Sequence, residues 1–153
     1  MTERTKRRLG DILIEDGILT REGLGEALEH QKKQGGGMIG QILIRLGYIS
    51  EENLVVTLSK QLNVPYLNLV NYAVNVQAVQ AFNEEFCRKN MVIPFDVDEK
   101  HIFIGVSDPL NDIAIEEIQK QSKLKPQVFI STPAEILNML DLAFSSALKK
   151  KES

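Results

Sequence analysis

LGDILIEDGILTREGLGEALEHQK occupies residues 9–32, and IGQILIRLGYISEENLVVTLSKQL occupies residues 39–62. The two stretches are near-copies offset by 30 residues. Nine of 24 positions are identical: Gly10/Gly40, Ile12/Ile42, Leu13/Leu43, Ile14/Ile44, Gly17/Gly47, Glu22/Glu52, Leu24/Leu54, Leu28/Leu58 and Gln31/Gln61. Unrelated segments would share roughly one or two, because common residue types each make up under a tenth of an average chain. The pattern is a duplicated supersecondary unit.

Each copy reads as two helices. A short helix over residues 8–16 stops at Gly17, which can take the left-handed conformation of a helix C-cap. Thr20 then caps a second helix reaching about residue 33, with acidic Glu22 at the positive end of its dipole. In the second copy Gly47 is the stop, Ser50 the cap, and Glu51 and Glu52 the acidic first turn. Gly35, Gly36 and Gly37 form the loop between copies.

Beyond Leu62 the pattern changes. Pro65 ends helical character and residues 64–69 look extended. A helical stretch over residues 76–89 precedes two strands, residues 91–97 and 101–107, joined by a tight turn at Asp98, Glu99 and Lys100. Asn111 or Asp112 can cap a helix over residues 113–121, and residues 127–131 read as a third strand. Thr132, Pro133 and Glu135 give an N-cap, a proline at the first helical position and a capping-box glutamate, starting a helix that runs to about residue 148. The expected fold class is α+β. A duplicated helical-hairpin half of four helices, residues 1–69, is followed by a small α/β half, residues 70–153, with a three-stranded sheet and flanking helices.

Composition narrows the function classes. The chain has 153 residues, a net charge of −3 and 6% aromatic residues. That balance argues against nucleic acid as a partner. One cysteine, Cys87, cannot form an internal disulfide, which fits a reducing compartment. No run approaches the ~18 apolar residues of a membrane span, and no apolar segment of secretory type follows the basic start. A cytoplasmic protein without membrane insertion is expected. His30 and His101 have no companion ligands, so no metal site is expected. Cys87 has no accompanying His motif and reads as a small buried residue.

The repeated residues admit two readings. Leu24, Leu28 and Gln31 are spaced i, i+4, i+7 and share a helix face, and Leu54, Leu58 and Gln61 repeat the arrangement. In the first reading the hairpins simply pack on each other, with glycine caps and leucine cores. In the second, the leucines lie against the faces of nucleobases and the glutamine amides meet the base edges. Gly10 and Gly40 then let a ligand approach the backbone near helix N-termini, and Arg7 or Arg8 pairs with phosphate or stacks on guanine. Two copies would suit a ligand that is itself two-fold.

The doubled pattern, RLG, two apolar residues, a second glycine, two more apolar residues, then L-x3-L-x2-Q, resembles the MshEN domain. That is the N-terminal domain of type II secretion and type IV pilus assembly ATPases. NVPYLNL after the second copy is similar to the family too, as are VIPF, the hairpin, IGVSDP and the closing helix. The resemblance spans about residues 8–144. It implies binding of the second messenger cyclic di-GMP by Arg8, Leu9, Gly10, Leu24, Leu28 and Gln31 of the first motif and by Ile39, Gly40, Leu54, Leu58 and Gln61 of the second. It also implies a partner in the secretion or pilus machinery, either an attached ATPase domain or an inner-membrane component. The chain departs from the pattern at Met38, where the second motif would carry arginine, at Ile39, which replaces leucine, and in a linker one residue longer than usual.

Asp108 has two readings: an acceptor for guanine N–H groups, or a turn residue before Pro109. Arg88 is either a phosphate contact or an exposed charge near a helix end. A phosphate-cradling loop of the form G-x4-G-K-[ST] is missing from the sequence, so no enzyme and no cofactor are expected. The alternative to a cyclic di-GMP sensor is a ligand-independent docking module. It would show an exposed apolar patch on the distal half and indifference to Gln31 and Gln61.

Overall fold

A computed structural model describes residues 8–152, with side chains described through residue 145. The chain forms two compact units that divide at Asn63/Val64.

The first unit is the duplicated hairpin. Helices α1 (Leu9–Glu15) and α2 (Arg21–Lys33) form the first copy, and α3 (Ile39–Arg45) and α4 (Glu51–Leu62) the second. The expected punctuation is present. Gly17 and Gly47 hold φ of 77° and 85°, which only glycine adopts without strain. Thr20 Oγ1 accepts from the Gly23 amide and Ser50 Oγ from the Asn53 amide, each at 3.0 Å. Packing crosses between the copies, with α1 against α3 and α4, and α2 against α3. Ile12, Leu13, Ile42, Leu43, Leu54 and Leu58 are at most 1% exposed and form the shared core.

The second unit begins at Val64, earlier than the boundary expected at residue 70. The reason is backbone pairing. The Leu67 amide donates to Ile130 and the Ile130 amide to Pro65, so the extended segment belongs to the sheet of this unit. The sheet order is β1 (Val92–Val97), β2 (His101–Val106), β3 (Lys125–Ile130), with β1 antiparallel and β3 parallel to β2. Pro94, which has no amide proton, lies on edge strand β1 beside an irregularity in register. The stretch expected as one helix is two, α5 (Val76–Gln80) and α6 (Glu84–Asn90). Asn83 breaks it by accepting from the Phe86 amide at 2.8 Å and restarting the chain as an N-cap. Between β2 and β3 lies α7 (Asp112–Ser122), capped by Asn111. The last helix, α8 (Pro133–Glu152), starts in the expected box: the Thr132 amide donates to Glu135 Oε1 and the Glu135 amide to Thr132 Oγ1. It packs on α5, α6 and β1. No described helix is long and apolar enough to cross a membrane.

Candidate ligand-binding site

The identical residues of the two copies have different surroundings. Leu58 is 0% exposed, whereas its counterpart Leu28 is 44% exposed. Leu54 and Leu9 are buried too, while Leu24 and Ile39 are half-buried. The second copy's leucines are therefore core, and the first copy keeps one open to solvent.

The two amides also part company. Gln31 Nε2 donates to the Gly37 carbonyl at 2.7 Å. Gln61 Nε2 donates to Asp16 Oδ1 at 2.9 Å, and Thr57 Oγ1 reaches the other oxygen of the same carboxylate at 3.4 Å. Gln31 thus braces the glycine loop, and Gln61 ties α4 to the end of α1. Leu46 stands in the second copy where Asp16 stands in the first, so Gln31 has no matching carboxylate. The two amides, expected to be equivalent and aimed at one guest, have different protein partners.

Gly10 and Gly40 have a protein neighbour where a ligand was expected. A Cβ on Gly10 would lie 2.8 Å from both Leu24 methyl carbons, and one on Gly40 would lie 3.0 Å from Leu9 Cδ2 and 3.5 Å from Leu54 Cδ2. Their bare α-carbons let leucines approach the helix closely.

Within the first unit, open space lies on the first copy. A cleft of about 640 Å³ is lined by Gly25, Leu28, Glu29, Gln31, Lys32, Gly35 and Gly36. It is a shallow cleft, largely open to solvent, with a volume in the range of small-molecule sites. Leu28 and Gln31 are the two sequence-derived candidates in its wall. Gly25, Glu29 and Lys32 were not anticipated, because the repeat argument selects residues the copies share, and these stand opposite Val55, Ser59 and Leu62. Divergence between copies would have been the signal. The loop is held by a chain of bonds: Arg45 Nη2 donates to Gln34 Oε1, and Gln34 Nε2 to the Gly36 carbonyl, each at 2.8 Å.

Of the remaining candidates, Arg8 is exposed at the N-cap of α1 and Arg7 lies outside the described residues. Asp108 Oδ1 accepts from the Leu110 amide at 2.9 Å, the bond of a turn residue, and burial pushes its carboxyl above the usual range. Arg88 is occupied by Glu84 at 2.9 Å and Asp141 at 2.7 Å. Burial pushes the Cys87 thiol up to about 12. No cluster that could hold a metal ion occurs among the described residues.

Known proteins share the family and the fold of this chain. Type IV pilus assembly ATPase PilB of Myxococcus xanthus is 30% identical over 112 residues, which is 73% of this chain and 20% of PilB. The chain thus spans about a fifth of that relative. A solved structure of MshE with cdg is 30% identical, with a TM-score of 0.66, covering 90% of this chain and 99% of the other. The N-terminal domain of XpsE shares the fold at 20% identity, with a TM-score of 0.72 over 90% of this chain and 94% of the other. The model of the MshEN domain matches residues 62–150. Sequence, fold and these matches agree that the chain belongs to the MshEN domain family.

Proposed function

We propose that this chain is a cyclic di-GMP sensor domain that performs no chemistry of its own and holds the nucleotide at the first copy of its duplicated hairpin. The observation that carries the reading is the cleft on α2, where exposed Leu28 stands beside Gln31. An apolar side chain next to an amide suits a flat ring with a polar edge. The likeness to MshE, solved with cdg, supports it. Gln31 gives up its bond to the Gly37 carbonyl and offers the amide to the ligand, so binding loosens one brace of the glycine loop. A ligand that favours the released loop shifts the population of loop states, and that shift is the signal passed to an attached or associated protein of the secretion or pilus machinery.

Titration calorimetry with cyclic di-GMP tests the reading. Saturable binding is expected, weakened by Gln31→Ala and by Arg8→Ala. Gln61→Ala should act mainly on stability, because its amide serves Asp16. Absence of binding at about 100 µM ligand, equivalent to roughly 5.5 kcal/mol, excludes the sensor.

A second reading has its own observation. Ile113, Val70 and Leu142 in the distal unit are 82%, 62% and 59% exposed. A docking partner that covered them as one surface would remove this apolar area from water. If docking to an inner-membrane component is the function, Ile113→Asp and Leu142→Asp abolish co-purification with that component's cytoplasmic part, and Gln31→Ala leaves it intact.

A further inference from the structure

Gly25 is a glycine without an internal reason. It lies inside α2 (Arg21–Lys33), where glycine is less favourable than alanine. The other nine glycines are accounted for. Gly17, Gly35, Gly36, Gly37 and Gly47 hold positive φ, and an added Cβ on Gly10, Gly23, Gly40 or Gly105 would come within 3.2 Å of a neighbouring side chain. A Cβ on Gly25 would meet nothing within 4 Å, and its φ is not in the left-handed region. Neither folding nor packing requires a bare α-carbon there.

Gly25 does face something: it lines the 640 Å³ cleft together with Leu28, Glu29 and Lys32. These four are spaced i, i+3, i+4 and i+7, one outward stripe of α2. Glu29 and Lys32 are exposed and, among the described residues, neither side chain is engaged in a hydrogen bond or ion pair. In the second copy the same place is Val55, 8% exposed, next to fully buried Leu58. The duplicated helices have diverged at this face, one to fill the core and the other to leave a shelf.

We propose that Gly25 is the floor of a guanine seat. The ring lies flat on the α2 backbone over Gly25, with Leu28 against its edge. The Glu29 carboxylate accepts from the adjacent N–H groups of guanine, and the Lys32 ammonium meets a phosphate. Adenine lacks that pair of donors, so the seat selects guanine. Among the described residues, Val55 and Leu58 close the equivalent surface of α4, so the seat belongs to the first copy. The assignment rests on the cyclic di-GMP reading and adds residues to it that the two copies do not share.

Gly25→Ala separates this role from a structural one. Thermal unfolding and cyclic di-GMP calorimetry are run on the same preparations. The variant should melt at the same temperature or higher, because alanine favours the helix. Its affinity should fall about tenfold or more, because the methyl occupies the ring's place. Glu29→Gln should weaken cyclic di-GMP binding and narrow the preference over cyclic di-AMP. Glu22→Gln, at the start of the same helix and outside the cleft, is the control and should bind like the parent chain. If the parent binds, Gln31→Ala weakens it and Gly25→Ala does not, the seat is overturned while the sensor stands. If the parent binds no cyclic di-GMP, both fall together.

Discussion

Leu28 and Leu58 are the same residue at the same place in two copies, and they should respond unequally to truncation. Leu58→Ala empties a fully buried site and should cost about 2–5 kcal/mol in chemical denaturation. Leu28→Ala removes a side chain that is 44% exposed and should cost less than about 1 kcal/mol, with its effect falling on ligand affinity. Equal destabilisation would mean that the first copy is as closed as the second. Asp108 gives a pH-dependent case. Burial raises its folded pKa above the unfolded one, so the native state favours the protonated acid. Its contribution is most favourable at acid pH and declines as pH rises from the usual carboxylate range of about 4 through the raised value. Asp108→Asn keeps an acceptor for the Leu110 amide and removes the buried charge. Its melting temperature should exceed the parent's at neutral pH, and the difference should shrink toward pH of about 4. Cyclic di-GMP affinity measured on the same variant shows whether the carboxylate has a second task at the ligand.

Capped helix starts are the best-specified elements in this chain, because each is fixed by an N-cap side chain three residues from the amide it serves, as α1 and α3 are not. Thr20, Ser50, Asn83 and Asn111 all accept from the third residue onward. Thr20→Ala and Ser50→Ala should each lower stability by about 1 kcal/mol, measured by urea unfolding followed by circular dichroism. A change in one variant alone would show that only one hairpin limits unfolding. The strands were nearly as legible. The β1–β2 turn is closed by Asp98, whose carboxylate takes the Lys100 and His101 amides at 2.8 and 2.7 Å. The break between α5 and α6 is not legible in the sequence because the apolar spacing continues across it. Asn83 could equally be an interior helical residue until its side chain captures the Phe86 amide.

At the scale of the whole molecule, the division at Asn63/Val64 assigns residues 64–69 to the sheet-bearing unit through the Leu67, Ile130 and Pro65 backbone bonds. A chain of residues 64–153 keeps that pairing and its own core of Ile93, Phe95, Ile102, Ile104, Ile118 and Leu140. It should unfold cooperatively on heating, whereas a chain starting at residue 70 loses the pairing and should melt at lower temperature. Identical melting of the two would place the boundary at residue 70 after all. The sequence by itself determined what depends on near neighbours: the duplication, the glycine stops, the caps, the hairpin turn and the α+β class. It also carried the family resemblance, because the motif is long. Tertiary structure alone decided which copy buries its matching leucine and which leaves it open. Matching residues have matching propensities, but Leu58 meets a closed interior and Leu28 meets water. Gln61 finds Asp16, while Gln31, with Leu46 in the corresponding place, finds the Gly37 carbonyl. Burial and bonding partners depend on what lies opposite in space, and a repeat read along the chain holds no record of that.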